Sequence, residues 1–202
     1  MKSFLLTLLF LCGLCFCSYS KSRLGEYYFG FGVTRANGGN GIDVKGDAIA
    51  LSANTLASDS AEFIFSFDYG KLETNASKDT SWSINADYVM QFGDADTTHS
   101  LLRPYAGLGI GYLRDPSDLK LGDDGLTWRL LAGSEVLITE NWHLGLNARY
   151  FGLLNDLSEA DLTLGFSVGW WIDDVHGIAL EYDHSLDSEL EFISLKYLYS
   201  WR

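Results

Sequence analysis

Hydrophobic and polar residues alternate along most of this chain, which is the pattern of β-strands that present one apolar face. Between Ala61 and Gly70 the apolar face carries Phe63, Phe65 and Phe67, and polar residues fill most positions between them. Turn-forming residues separate ten such segments. The predicted strands are Gly25–Thr34, Gly46–Leu56, Ala61–Gly70, Ser81–Phe92, Leu102–Arg114, Leu126–Ile138, Trp142–Gly152, Asp161–Ile172, His176–Asp183 and Leu190–Trp201. The pattern predicts an all-β fold, an antiparallel up-and-down β-barrel.

The last predicted strand carries the strongest pattern. Every second residue from Ile193 to Trp201 is apolar or aromatic, and Arg202 follows. The strand is long enough to cross a bilayer when tilted, which takes about 9–11 residues. It resembles the C-terminal strand of bacterial outer-membrane β-barrels, although those strands usually end on the aromatic residue itself. The resemblance implies that Leu190–Trp201 binds the barrel-assembly machinery of that membrane.

Residues 1–20 have the composition of a secretory signal peptide. Lys2 precedes an apolar run from Phe4 to Cys17, and small residues flank the expected cleavage site at Ser20. The run is too short to be a good transmembrane helix. We therefore predict cleavage near Ser20, a barrel domain over residues 21–202, and export to the cell outer membrane.

All cysteines lie in the predicted signal, at Cys12, Cys15 and Cys17. The mature chain is then free of disulfides and thiolate metal sites. Lipidation at Cys17 is an alternative, but bulky Phe16 precedes it where a small residue is preferred. No phosphate-binding loop, dinucleotide fingerprint or metal-ligand spacing occurs, so we expect no cofactor and no metal.

The acidic charge of the chain restricts its partners. The net charge is −13, and loss of the signal, whose single charged residue is Lys2, makes it −14. A strongly acidic chain disfavours nucleic acid and anionic membrane surfaces as partners. The mature chain has no apolar run of about 20 residues, so a membrane span would have to be a closed barrel.

The distribution of residue types between the two faces favours a transmembrane barrel. The less apolar face is rich in Gly and Ser and poor in long charged side chains, unlike the exterior of a soluble barrel. The apolar face carries aromatic residues at both ends, as lipid-facing surfaces do. These girdle residues are Tyr27, Phe63, Phe92, Trp142, Trp170 and Trp201 at the end holding the termini, and Tyr69, Trp82, Tyr112, Trp128, Tyr150 and Tyr182 at the other. A soluble ligand-binding barrel is the alternative.

The chain resembles the small outer-membrane β-barrel families of the outer membrane protein A-like kind. The segment Arg103–Tyr112 and the closing strand carry the resemblance. We predict a monomeric barrel with a side-chain-filled lumen, surrounded by outer-membrane lipid and lipopolysaccharide, with a structural or surface-interaction role and no enzymatic activity. Such barrels commonly have eight strands, so eight is the alternative to ten.

The connections between strands are also typical of such barrels. Those after strands one, three, five and seven tend to be longer than those after two, six and eight; the connection after strand four is a long exception. An even strand number then places both termini on the periplasmic side.

Charged residues on the less apolar face are expected to line the lumen. Unpaired charges there would be costly, so we predict a structural ion-pair network, with a narrow ion path as the alternative. Its members are Glu26, Glu62, Asp68, Asp87, Arg103, Arg129, Glu135, Arg149, Glu181, Asp183 and Lys196.

One set of residues could support hydrolysis at the outer rim. Asp183, His184 and Ser185 are consecutive, and such groups form hydrolytic sites when the geometry allows. Omptin proteases use Asp–His and Asp–Asp pairs at their rim, and Asp123 with Asp124 could supply the second pair, but the loops of omptins are far longer. Lipid A deacylases use His-x-Ser, whereas His184 and Ser185 are adjacent. Because these residues are also common in hairpin loops, a rim hydrolase remains the alternative function.

Overall fold

The computed structural model describes residues 23–39, 44–74, 78–92, 102–114, 124–157 and 160–201. Within these ranges the regular structure is entirely β-strand, and no helix could span a membrane. The strands are β1 (Tyr28–Gly38), β2 (Val44–Ser58), β3 (Ala61–Thr74), β4 (Lys78–Gln91), β5 (Leu102–Arg114), β6 (Gly125–Leu137), β7 (Trp142–Leu153), β8 (Ala160–Trp171), β9 (His176–Ser185) and β10 (Leu190–Ser200).

The ten strands form one closed antiparallel barrel. Each strand pairs with its neighbours in sequence, and β1 closes the barrel against β10 in a register that runs from Tyr28↔Ser200 to Gly38↔Leu190. The predicted up-and-down barrel of ten strands is confirmed, and the eight-strand alternative is wrong. Closure leaves no unpaired edge among the ten described strands, as a membrane-spanning sheet requires.

The two ends of the barrel differ in their contents. We call the end with Tyr28 and Ser200 the terminal end, and the opposite end, with the β1–β2 and β9–β10 hairpins, the loop end. At the terminal end β1 begins at Tyr28 instead of Gly25, because the preceding residues leave the sheet and turn inward at Gly25, which has a φ of 81°.

At the loop end several strands are longer than predicted. Strand β3 continues to Thr74 and β4 begins at Lys78, so the expected longer loop after strand three is absent. Glu73 and Lys78 face each other across this hairpin and form an ion pair. The barrel wall has charged residues on its outward face at this end, so the alternation of apolar residues could not predict that β3 and β4 extend this far. The predicted long connection after strand four lies outside the described residues, which end at Phe92 and resume at Leu102.

Large apolar side chains cover the outside of the barrel. Ile110 is 64% exposed, and Phe29, Leu108 and Leu195 are more than half exposed. A continuous apolar surface of this kind is unsuited to water and argues against the soluble-barrel alternative. It fits the hydrocarbon region of a bilayer, where a β-barrel presents an apolar band.

The inward face is packed by setting small residues beside large ones. A Cβ atom on Gly109 would lie 2.0 Å from Oδ1 of Asp87, and one on Gly169 would lie 1.9 Å from Nε2 of His143. Glycine at these positions lets the neighbouring side chain lie flat against the wall. The narrow lumen can therefore hold large polar groups without widening the barrel.

We expect Gly169→Ala to destabilise the folded barrel by about 1–3 kcal/mol, the usual effect of overpacking a filled interior. The added methyl would collide with the ring of His143, which is buried and has little room to move. The temperature at which the protein loses its compact mobility on a gel measures the effect. Gly125→Ala is the matched control, because its nearest contact would be 3.2 Å away, at Asn155. Equal transition temperatures for the two variants would contradict this packing.

Candidate functional site

A belt of ion pairs crosses the middle of the lumen. We call its six members, which come from five strands, the charge belt. The distances are 3.1 Å from Arg129 Nη1 to Asp87 Oδ2, 2.6 Å from Arg149 Nη2 to Asp183 Oδ2, and 2.7 Å from Lys196 Nζ to Glu181 Oε2. Two of the pairs join strands that are not neighbours in the sheet, so they cross the interior.

Arg23 adds a further cation to the lumen, although it precedes β1. Its Nη1 donates to Glu181 Oε1 at 2.7 Å, and its backbone N donates to Glu135 Oε1 at 3.1 Å. Its guanidinium lies 5.9 Å from the ring centroid of Tyr28. Burial lowers the pKa of Arg23, but Glu181 and Tyr28 together outweigh burial and raise this pKa above its ordinary value, so Arg23 stays charged.

Arg23 was not predicted as a lumen residue, because it lies outside every alternating segment. The excess of acidic over basic residues on the predicted lumen face was the available signal that further positive charge was needed. Arg23 supplies such a charge from the segment that precedes the first strand.

Glu62 anchors this incoming segment at the terminal end. Its carboxylate is fully buried and accepts hydrogen bonds from the backbone N of Gly25 at 2.8 Å and from Asn54 Nδ2 at 2.9 Å. Asn54 Nδ2 also donates to the carbonyl oxygen of Glu26 at 2.8 Å. The segment from Arg23 to Glu26 is therefore fixed inside the mouth of the barrel by polar contacts to β2 and β3.

Bulky side chains fill the rest of the terminal end. Tyr28, Trp171 and Leu198 pack in one buried cluster with Ala179. His143 is 1% exposed, and its Nε2 lies 3.8 Å from Glu135 Oε1. These groups close the terminal mouth below the charge belt.

Where the structure describes the wall, two small cavities lie inside the barrel, one on each side of the charge belt. The cavity toward the loop end has a volume of about 240 Å³ and is lined by hydroxyl groups and Phe151. The cavity toward the terminal end has a volume of about 190 Å³ and reaches Arg23 and Tyr105. Arg129, Arg149 and the other belt residues from β9 and β10 line both, so the belt lies between the two cavities.

The remaining predicted lumen residues lie outside the belt. Asp68 faces the cavity toward the loop end and accepts a long hydrogen bond from Ser83 Oγ at 3.5 Å. Arg103 lies directly across from Glu135 in the β5–β6 register. Glu26 is nearly buried but precedes β1, so it reaches the lumen without being part of a strand.

The structure does not bring the candidate rim residues together. Strand β9 extends through Ser185, so Asp183 points inward to Arg149 while His184 points outward beside Leu164. Ser185 also points inward and donates its hydroxyl hydrogen bond to Asp161. The strand geometry therefore separates the histidine from both of its expected partners. Asp123, a proposed member of a second acidic pair, lies outside the described residues.

The predicted girdle aromatics lie on the outward face and pair across neighbouring strands. At the terminal end Trp142 stacks on Trp170 at 5.7 Å between ring centroids, and Trp201 lies 6.2 Å from Tyr27. Phe63 also contacts Tyr88 at the terminal end, where Phe92 is exposed. At the loop end the ring pairs are Trp82 with Tyr112 and Trp128 with Tyr150, and Tyr69 and Tyr182 are exposed.

No group of three or more possible metal ligands occurs within the described ranges. The lumen instead has cations and carboxylates that form ion pairs, together with hydroxyl groups. This arrangement can hold charge in a narrow interior and block the passage of large solutes.

A family model, described as the outer membrane protein beta-barrel domain, matches residues 6–169. The chain belongs to this outer-membrane β-barrel family. Family membership agrees with the closed ten-strand barrel and its apolar exterior.

Solved structures of other outer-membrane barrels have the same fold as this chain. An outer membrane channel from Pseudomonas putida F1 is 8% identical, with a TM-score of 0.55 and coverage of 91% of this chain and 98% of that chain. The translocator domain of autotransporter NalP from Neisseria meningitidis is 11% identical, with a TM-score of 0.51 and coverage of 100% of this chain and 96% of that domain. No curated protein matches the sequence.

Proposed function

We propose that this chain is a closed barrel of the bacterial outer membrane, with a structural or surface-interaction role and without a reaction of its own. Family membership supports the membrane assignment. The charge belt is the single observation that supports a closed lumen. It lies between two cavities that would otherwise join into a continuous passage through the barrel.

The filling of the terminal end supports the same proposal. Trp171 and His143 occupy the lumen below the belt, and Arg23 enters from the preceding segment. A conducting pore would need a continuous aqueous passage, as the larger porin barrels have. The outward position of His184 gives no support to a rim hydrolase.

The proposed orientation places the terminal end in the periplasm and the loop end at the cell surface. The predicted signal peptide and the even number of strands support this direction. The surrounding partners are then outer-membrane lipid and lipopolysaccharide. Contact with the barrel-assembly machinery through Leu190–Trp201, and a monomeric state, are parts of this proposal.

Planar-bilayer recording tests the closed lumen. We expect refolded protein to give no stable conductance of porin size, because the belt pairs and Trp171 block the passage. A shift in gel mobility on boiling must first show that the same preparation contains folded barrel. Stable porin-sized currents from that preparation would refute the closed state and favour a channel, the activity named for the Pseudomonas putida protein.

A further inference from the structure

An apolar groove runs along the outside of the barrel near the loop end. It has a volume of about 590 Å³ and crosses strands β10, β1, β2 and β3. Its apolar surface comes from exposed side chains that face the lipid region. These are Val33, Ile49, Tyr69, Ile193 and Leu195.

Two basic residues lie at the upper edge of this groove. Arg35, Asp47 and Lys71 line the groove and form one outward-facing row across β1, β2 and β3, because Arg35 pairs with Asp47 and Asp47 with Lys71 in the strand registers. Neighbouring strands lie about 4.8 Å apart, so the Cα atoms of Arg35 and Lys71 are separated by about 10 Å. All three side chains are exposed.

The row directly below is apolar. Val33, Ile49 and Tyr69 face one another in the same registers, and Tyr69 belongs to the aromatic girdle of the loop end. Amphipathic rings settle at the level of lipid headgroups. The groove therefore extends from the hydrocarbon region up to the two cations at headgroup level.

We propose that this groove binds a phosphorylated glycolipid of the outer leaflet, namely the lipid A part of lipopolysaccharide. An acyl chain lies along Val33 and Ile49, and phosphate groups accept hydrogen bonds from Arg35 and Lys71. Guanidinium and ammonium groups form strong charge-assisted hydrogen bonds with phosphate.

The charges select this lipid among those of a bacterial membrane. Lipid A carries phosphates at both ends of a disaccharide, which suits two cations separated by about two strand spacings. Asp47 lies between the cations and would repel phosphate, but its carboxylate accepts hydrogen bonds from sugar hydroxyls. A phospholipid with one phosphate and no sugar ring satisfies fewer of these groups.

The proposal rests on the proposed orientation, in which the loop end faces the cell surface, and it is independent of whether the lumen is closed. Lipid binding and conductance are measured separately, so the two proposals can fail separately. A conducting wild-type protein that binds lipid A through Arg35 and Lys71 would refute only the closed lumen.

Native mass spectrometry of the full-length protein in detergent, titrated with diphosphoryl lipid A, tests the site. We expect the double variant Arg35→Ser, Lys71→Ser to bind at least tenfold more weakly than the wild type, because each cation contributes a charged hydrogen bond. The control is Lys78→Ser, Arg114→Ser, which removes two exposed bases at the same end but outside the groove. It should bind like the wild type.

Two further measurements separate the site from general charge effects. Val33→Trp fills the groove and keeps every charge, so it should also weaken lipid A binding, while Arg35→Lys, Lys71→Arg should retain it. Phosphatidylglycerol should bind weakly and equally to all variants. Equal lipid A binding by the wild type and the double serine variant, in preparations that are folded by their heat-dependent mobility, would overturn the proposal. Tight binding of phosphatidylglycerol that depends on the same cations would also overturn it.

Discussion

A chain that lacks Tyr199–Arg202 is expected to remain in the periplasm, degraded or aggregated, instead of reaching the outer membrane as a folded barrel. The deletion removes the pairs Tyr199↔Phe29 and Ser200↔Tyr28, which close the barrel at the terminal end. It also removes the ring of Trp201, which stacks on Phe29 at 4.1 Å between centroids. The seam between the first and last strands is the one place where sequence-distant segments must meet to close the sheet.

Membrane fractionation and the mobility shift on boiling measure this effect. Deletion of Arg202 alone is the matched control, because it leaves Trp201 as the last residue and keeps every described strand pair. We expect that control to assemble like the full chain. A folded, heat-modifiable barrel from the chain without residues 199–202 would show that the proposed assembly signal lies elsewhere.

We expect Leu195→Arg to impair assembly strongly, whereas Lys196→Arg should be tolerated. Leu195 is 52% exposed on the outward face, and an arginine near the middle of a lipid-facing strand costs about 2–4 kcal/mol. Lys196 points inward, where its Nζ lies 2.7 Å from Glu181 Oε2, so arginine can keep that ion pair. The two substitutions introduce the same residue at adjacent positions, and only the face differs.

Urea denaturation in lipid vesicles gives the free energy of unfolding for both variants. The free energy of unfolding should be highest for the wild type, lower for Lys196→Arg and lowest for Leu195→Arg. The larger decrease is expected for the substitution at the lipid-facing site. A reversed order would mean that the inward and outward faces of β10 have been exchanged.

The sequence predicted the membrane-spanning part of the barrel well because lipid enforces alternation there. Phe63, Phe65 and Phe67 alternate with less apolar residues, and β3 forms where this pattern occurs. Beyond the lipid region the constraint disappears, since both faces of the wall can carry charge. The ends of β3 and β4, with their Glu73–Lys78 pair, were therefore missed.

The pairing inside the lumen could not be predicted from alternation. Periodicity places Arg149 and Asp183 on the inward face, but it does not show that they meet across the strand between them. Alternation could have predicted that His184 points outward, because it lies two residues after Tyr182, which faces outward. This orientation was missed because β9 was expected to end at Asp183, whereas the strand continues to Ser185.

The close fit between lumen glycines and their neighbours has a consequence for how this barrel tolerates sequence drift. Gly169 and His143 share one volume, as do Gly109 and Asp87, so neither member of a pair can grow independently. Divergence in the lumen should proceed by complementary exchange, in which a larger residue at the glycine position accompanies a smaller one at its partner. Outward positions within the lipid-facing band have no such partner restriction and need only remain apolar. Related barrels should accordingly differ freely on the outside while conserving summed volumes across adjacent inward positions.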